Sequence, residues 1–295
     1  MKIYRNIRYN KSHVLDLYIP QHSQTNVTSV IMYLHGGAWI SANTANAEEI
    51  AVVLASKGFC MVVPNYTTTR TSVFQFVLSG CFLIAILPLI IPTYTEHVSL
   101  SKMTVLCTLF LVVCFTFCYY SQQRNDSSHP QHFDDIQDAM TWVQDNLLLY
   151  GVSIRNIVFM GHSAGAHIAC VTSHMLPNVA GVVGISGPYS ATKMTDNPFC
   201  MLLVKTVFVS DFEKAFPIYH VHTDSPPHLL LNASSDFGLS NHTKEYLYTL
   251  KKKNVRAYAH TFPNTNHFSI RRNWDSRNRT VVKEIECFIR SLPSS

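Results

Sequence analysis

The run Asn156-Ile157-Val158-Phe159-Met160 leads without a break into Gly161-His162-Ser163-Ala164-Gly165, and a stretch of mostly small residues follows, stopping before Pro177. A short apolar run bounded by glycine reads as a buried strand, and the stretch behind it reads as a helix that proline ends. A strand that passes straight into a helix reverses direction within a few residues. Only small side chains tolerate so sharp a turn at its flanks. The helix must then pack back over a parallel sheet, and that requirement excludes all-α and meandering all-β architectures.

The remaining pattern agrees. Strands are predicted near Tyr4–Tyr9, His13–Ile19, Ser29–Leu34, Phe59–Val63, Val179–Ile185, His228–Asn232 and Val255–Phe262. Helices are predicted over Ala47–Lys57, over Phe133–Tyr150, from Asp236 through Lys253, and in a last segment with Val281, Ile285, Phe288 and Ile289 on one side. In Phe133–Tyr150 the residues Ile136, Met140, Val143 and Leu147 recur at helical spacing, and Gly151 follows as a stop. Apolar strands alternating with helices specify an α/β fold with a mostly parallel central sheet and helices on both faces. In such sheets reactive groups gather beyond the carboxyl ends of the strands. Gly36, Gly37, Ser163, Asp236 and His267 all fall there.

Those residues carry one chemistry. A serine hydroxyl is a poor nucleophile and needs a base at hydrogen-bond distance. Ser163 stands in the strand–turn–helix context that a nucleophile elbow requires. His267, in the polar segment Asn264-Thr265-Asn266-His267, follows the last strand and is the expected base. Asp236, after the preceding strand, is the expected acid, which would hold the imidazole tautomer and stabilise the imidazolium. Asp224 is a rival, but it precedes its strand and so lies at the wrong end. The glycine-rich bend His35-Gly36-Gly37-Ala38-Trp39 offers backbone N–H groups for an oxyanion. Gly36, Gly37 and Ala164, the residue after the nucleophile, are the expected oxyanion hole.

Together, His35-Gly36-Gly37-Ala38-Trp39 and Gly161-His162-Ser163-Ala164-Gly165-Ala166-His167 resemble the feruloyl/acetyl-esterase-like group of α/β-hydrolases, which includes isoprenylcysteine methylesterases and kynurenine formamidases. The resemblance covers the chain except residues 71–124 and, less clearly, Pro188–Pro227. It implies the α/β-hydrolase fold, catalytic roles for Ser163, Asp236 and His267, and a serine carboxylesterase acting through an acyl-enzyme without a cofactor. The motifs are poor guides to substrate, because one fold hosts many functions. An arylformamidase using the same three residues, and a catalytically inactive binding protein on the same fold, are the alternatives.

Residues 71–124 break the pattern. Val73–Pro92 and Met103–Tyr120 carry no charge, and a short polar stretch with Glu96 and Lys102 joins them. Uncharged runs of about 18 residues or more are candidate membrane spans. The expectation is an inserted two-helix transmembrane hairpin, with spans near 73–92 and 103–120, that divides a catalytic domain of residues 1–70 and 125–295. An apolar lid is the alternative. A hairpin implies a multi-pass membrane protein that contacts the lipid bilayer and takes a lipophilic small-molecule ester. Arg70 and Arg124 flank the insert and favour a cytosolic catalytic domain, at the endoplasmic reticulum or another endomembrane. The glycosylation-type matches at Asn26, Asn65, Asn125, Asn232, Asn241 and Asn278 point the other way, although Asn65 and Asn232 lie at or in core strands.

Other classes find little support. The net charge of +5 comes with no arginine-rich stripe interleaved with aromatics, so nucleic-acid binding is not expected. The eight cysteines form no CxxC pair and read as buried free thiols, as in a reducing compartment. His220/His222 and His129/His132 have no third ligand at metal spacing, so no metal is expected. The first residues, Met1–Arg5, lack the apolar core of a signal peptide. No feature identifies a protein partner. Pro188–Pro227 is expected to wall a pocket, with Phe199, Met201, Leu202 and Phe208 as acyl-pocket or plain core residues.

Overall fold

The computed structural model describes residues 1–21, 27–41, 45–69, 129–195, 201, 204–205, 207–208, 212–276 and 278–294. The chain divides into two units, residues 1–68 with 128–295 and residues 69–127. The sheet and the candidate site belong to the first unit.

Eight strands form one sheet: β1 (Lys2–Arg8), β2 (Val14–Ile19), β3 (Val27–Leu34), β4 (Cys60–Pro64), β5 (Ser153–His162), β6 (Val179–Ile185), β7 (His228–Ser235) and β8 (Ala257–Asn266). Their spatial order is β1-β2-β4-β3-β5-β6-β7-β8. β1 and β2 pair antiparallel, as do β2 and β4, and every pairing from β4 through β3 to β8 is parallel. β3 and β5, at the centre, are buried along most of their length, as strands covered on both faces must be. This is the sheet of an α/β-hydrolase.

The helices α1 (Ala45–Ser56), α2 (Gln131–Asn146), α3 (Ala164–Met175), α4 (Leu239–Lys252) and α5 (Arg279–Arg290) cover the sheet. α2 buries His132, Phe133, Asp135, Ile136, Ala139, Met140 and Val143 on one side. It passes into a 3-10 turn, Leu147–Tyr150, which Gly151 closes at a φ of 79°. Val281, Val282, Ile285, Phe288 and Ile289 of α5 join Ile50, Leu54, Val183 and Leu229 in the core. Cys60 in β4 and Cys170 in α3 are buried free thiols.

The hairpin expected within 71–124 lies outside the described residues. Among the described residues, no helix is long and apolar enough to cross a membrane. α2 has 16 residues; it would reach about 24 Å, short of the ~30 Å hydrocarbon core, and one of its faces is polar. The multi-pass localisation, with an endomembrane-bound and cytosol-facing catalytic domain, is therefore corrected.

At the amino end of β7, remote from the strand ends that carry the site, several buried polar groups form one directional chain. His228 Nδ1 faces the Pro226 carbonyl at 2.7 Å. A carbonyl can only accept, so Nδ1 carries the proton and Nε2 accepts from the Tyr246 hydroxyl at 3.0 Å. The Tyr246 oxygen accepts in turn from His174 Nε2 at 2.6 Å. His174 Nδ1 then accepts from Ser225 Oγ at 2.8 Å, and Ser225 Oγ accepts the His222 N–H at 3.0 Å. The chain ties α3, α4 and β7 together using neutral imidazoles. Burial, followed by the charge of neighbouring histidines, pushes His174 down to about 2. Burial lowers His228 to about 4.

Two outcomes follow. Tyr246→Phe leaves two imidazole nitrogens without a partner and should cost about 1–3 kcal/mol in urea unfolding. Both histidines hold folded-state values below the ordinary 6.5, so below that pH the unfolded chain binds more protons than the folded one. Stability should therefore fall as pH is lowered from 7 towards 5, as unfolding midpoints measured across that range will check.

Candidate active site

Ser163 sits between the last residue of β5 and the first of α3 at φ 56° and ψ −122°, a region that side-chain-bearing residues rarely occupy. Three backbone bonds hold it there. Its N–H donates to the Ile185 carbonyl at 2.9 Å, and its own carbonyl accepts from Ala166 and His167 at 3.0 and 3.2 Å. The flanking glycines make the turn possible. A Cβ on Gly161 would lie 2.3 Å from the Gly165 backbone, and one on Gly165 would lie 2.1 Å from the Leu34 carbonyl oxygen of β3. The turn is pressed against its neighbouring strand, leaving no room for a methyl group.

His267 follows the end of β8, and its N–H donates to Ser235 O at 3.1 Å. Its ring bridges the two other residues named from the sequence. Nδ1 lies 2.7 Å from Asp236 Oδ1, and Nε2 lies 3.1 Å from Ser163 Oγ. Asp236 Oδ2 accepts from Asn232 Nδ2 and from the Ala233 N–H, both at 3.2 Å. Burial pushes the Asp236 carboxyl up, but the hydrogen bond and charge of His267, followed by the Asn232 hydrogen bond, outweigh it and leave the group below its ordinary value. A carboxylate at Asp236 fixes the His267 proton on Nδ1 and leaves Nε2 as an acceptor facing the serine hydroxyl. Asp224 occupies an exposed turn ahead of β7, away from these groups.

Of the residues expected to line the oxyanion hole, Gly36 and Ala164 lie beside the serine, and Gly37 continues the bend. A Cβ on Gly36 would lie 3.2 Å from Ser163 Cβ and 2.9 Å from the His162 carbonyl oxygen. Gly37 has a φ of 142°, and a Cβ there would meet the Ser41 carbonyl oxygen at 2.1 Å. Ala38 and Trp39 continue the bend at φ 53° and 61°. Ala164 opens α3, buried beside the serine.

Sequence reasoning missed three sets of supporting contacts. His162 is the last residue of β5, and its Nε2 lies 2.8 Å from the His267 carbonyl, to which it donates. Burial, followed by the charge of His267, lowers the His162 imidazole to about 3, so the ring stays neutral. Tyr66, past the end of β4, donates its hydroxyl to the His35 carbonyl and stacks on the His35 ring at 4.3 Å. Trp39 Nε1 donates to His167 Nδ1 at 3.2 Å, and His167 Nε2 donates to Ala215 O at 3.0 Å. A histidine or aromatic residue inside or next to a glycine motif was the one available hint.

Other candidates fall elsewhere. Phe208 is buried against Trp39, His167 and Phe216, which is core packing rather than an open wall. Met201 is half-buried, and Phe199 and Leu202 lie outside the described residues. His220 and His222 use Nε2 on the carbonyls of Lys214 and His174. Among the described residues, no group of three or more His, Cys, Asp or Glu could hold a metal ion.

Sheet order, elbow and bridging histidine define the class as an α/β-hydrolase with a Ser–His–Asp arrangement. A family model described as BD-FAE matches residues 15–81 and 105–250. The chain belongs to the BD-FAE family. The match reaches into both apolar runs, leaves residues 82–104 uncovered, and ends before His267. The chain is 25% identical to the probable carboxylic ester hydrolase LipM of Mycobacterium tuberculosis over 42% of its own length and 34% of that protein's. Esterase LipQ of the same organism gives the same identity and shares. The chain thus spans about a third of the length of these relatives. Among solved structures, Esterase B from Lactobacillus rhamnosis, inhibited with a tributyrin phosphonate, aligns with a TM-score of 0.69 at 14% identity, over 98% of this chain and 85% of that one. A truncated carbohydrate esterase from gut microbiota aligns equally well, at 15% identity over 98% and 95%. At such identities the likeness is one of fold.

Replacing His162 with Ala removes the tie between the elbow and His267. The expected result is a roughly 10- to 100-fold slower reaction of Ser163 with a fluorophosphonate, since small misplacements of reacting groups are costly. Reaction at the unchanged rate would show that His267 needs no such support.

Proposed function

We propose that this protein hydrolyses carboxylic esters of small molecules through an acyl-enzyme formed on Ser163. The observation that carries the reading is the imidazole of His267, which spans Asp236 Oδ1 at 2.7 Å and Ser163 Oγ at 3.1 Å. In this reading His267 Nε2 takes the hydroxyl proton as Ser163 attacks the acyl carbon. The imidazolium, stabilised by Asp236, returns the proton to the leaving alkoxide. Backbone N–H groups of Gly36, Gly37 and Ala164 receive the oxyanion. Water, deprotonated by the same imidazole, then cleaves the acyl-enzyme.

The neutral state of His162 supports this assignment. A second positive charge beside His267 would oppose formation of the imidazolium, and burial keeps His162 uncharged. The two mycobacterial relatives, named as a probable carboxylic ester hydrolase and an esterase, support the same reading. The preference for a lipophilic ester belongs to this proposal as well, supported by Phe237 and Phe268, whose exposed rings lie beside the His267 imidazole.

The test is labelling with a fluorophosphonate followed by turnover of p-nitrophenyl esters of increasing acyl length and of N-formylkynurenine. Ser163→Ala should lose the label and reduce ester turnover by on the order of 10⁴-fold or more. A protein that is neither labelled nor active on any ester would overturn the assignment. Faster turnover of the formamide than of every ester would replace it with an arylformamidase.

A further inference from the structure

Two aromatic side chains flank the candidate base, and both are exposed. Phe237 directly follows Asp236, and Phe268 directly follows His267. Phe237 is 78% exposed and Phe268 51%, whereas His267 between them is only 7% exposed. Both rings make edge contacts with the imidazole, at 5.3 and 5.2 Å between centroids, and they lie 6.2 Å from each other.

Their placement is held by the backbone. Phe237 adopts a φ of 50°, a conformation that a bulky side chain adopts at a cost. Asp236 O fixes the turn by accepting the Leu239 N–H at 2.8 Å. Asn266 Oδ1 accepts the N–H groups of Phe268 and Ser269 at 3.0 and 2.9 Å. Strain and exposure together are unfavourable for a residue that only packs, and such outliers point towards function.

Substrate geometry says which part of an ester meets these rings. The carbonyl oxygen must face the backbone amides around Gly36 and Ala164. The leaving oxygen must come within hydrogen-bond reach of His267 Nε2. The group attached to the leaving oxygen is therefore carried alongside the imidazole and its two aromatic neighbours, while the acyl chain departs from the other side of the carbonyl carbon.

We infer that Phe237 and Phe268 form the leaving-group subsite of the esterase proposed above and that it accepts a flat, apolar alcohol of the aryl type. Aromatic rings at this spacing grip a planar partner by edge-to-face or offset contact. The inference rests on the esterase reading and adds to it the chemical class of the alcohol.

The experiment compares kcat/KM for 1-naphthyl acetate and methyl acetate in the full-length protein, in Phe237→Ala, in Phe268→Ala and in the double variant. Intrinsic ester reactivity cancels when the naphthyl-to-methyl ratio is compared across variants. The ratio should fall by about tenfold in the double variant, the scale of a lost apolar contact in a binding pocket. Phe237→Leu and Phe268→Leu, which keep apolar bulk without a ring, should show an intermediate ratio. Inhibition by 1-naphthol should weaken in parallel, as a readout independent of the chemistry. An unchanged ratio overturns the subsite, as does a loss that follows acyl length across a phenyl ester series. If the unchanged protein turns over neither ester and takes up no fluorophosphonate at Ser163, the esterase reading fails and the subsite fails with it.

Discussion

Ser163 is held at φ 56° by a turn with no spare volume. The carbonyl of Ile185 takes its N–H, and Gly165 is pressed against the backbone of β3 so closely that a Cβ would overlap the Leu34 oxygen. The rest of the first unit serves this arrangement. β3 and β5 must be parallel neighbours for the helix behind Ser163 to return over them. β6 must lie alongside to supply Ile185. Stored backbone strain of about 1–3 kcal/mol at such a site persists only where its surroundings over-determine it. Here the surroundings are β3 and β5, each buried along most of its length.

The electrostatic arrangement follows from burial in the same way. Five imidazoles, those of His35, His162, His167, His174 and His228, are pushed below their ordinary range by desolvation. Each carries out a neutral task, donating one N–H to a carbonyl or hydroxyl oxygen. His267 differs from them because it has a carboxylate at Nδ1.

Much of this was legible in the sequence, because the decisive signals are local. The apolar run before Gly161 marks β5, and the order Ser163, Asp236, His267 at the ends of β5, β7 and β8 brings together the groups that the structure places within hydrogen-bond distance. Strand limits were less legible at the sheet edge. β7 extends through Ser235 rather than ending at Asn232, because its last residues continue to pair with β8 after a shift in register. β8 extends to Asn266 through Pro263 and several exposed polar residues. An edge strand tolerates proline and needs no apolar run to mark it. The bonds His162–His267 and Trp39–His167 were not legible, since they join residues 105 and 128 positions apart and periodicity records only near neighbours. The membrane-span reading fell on residues outside the described set, and the described helices supply no span.

The contact between His162 and the carbonyl of His267 means that nucleophile and base share one rigid frame although His162 and His267 stand 105 positions apart in the sequence. β5 and β8 lie three strands apart in the sheet, yet this bond fixes their carboxyl ends at a set separation. The junction after Asn266 therefore has no slack in chain length. One residue added or removed there would rotate the imidazole out of reach of the hydroxyl, whereas the same change in a peripheral turn such as Lys253-Asn254 would be absorbed without reaching the serine.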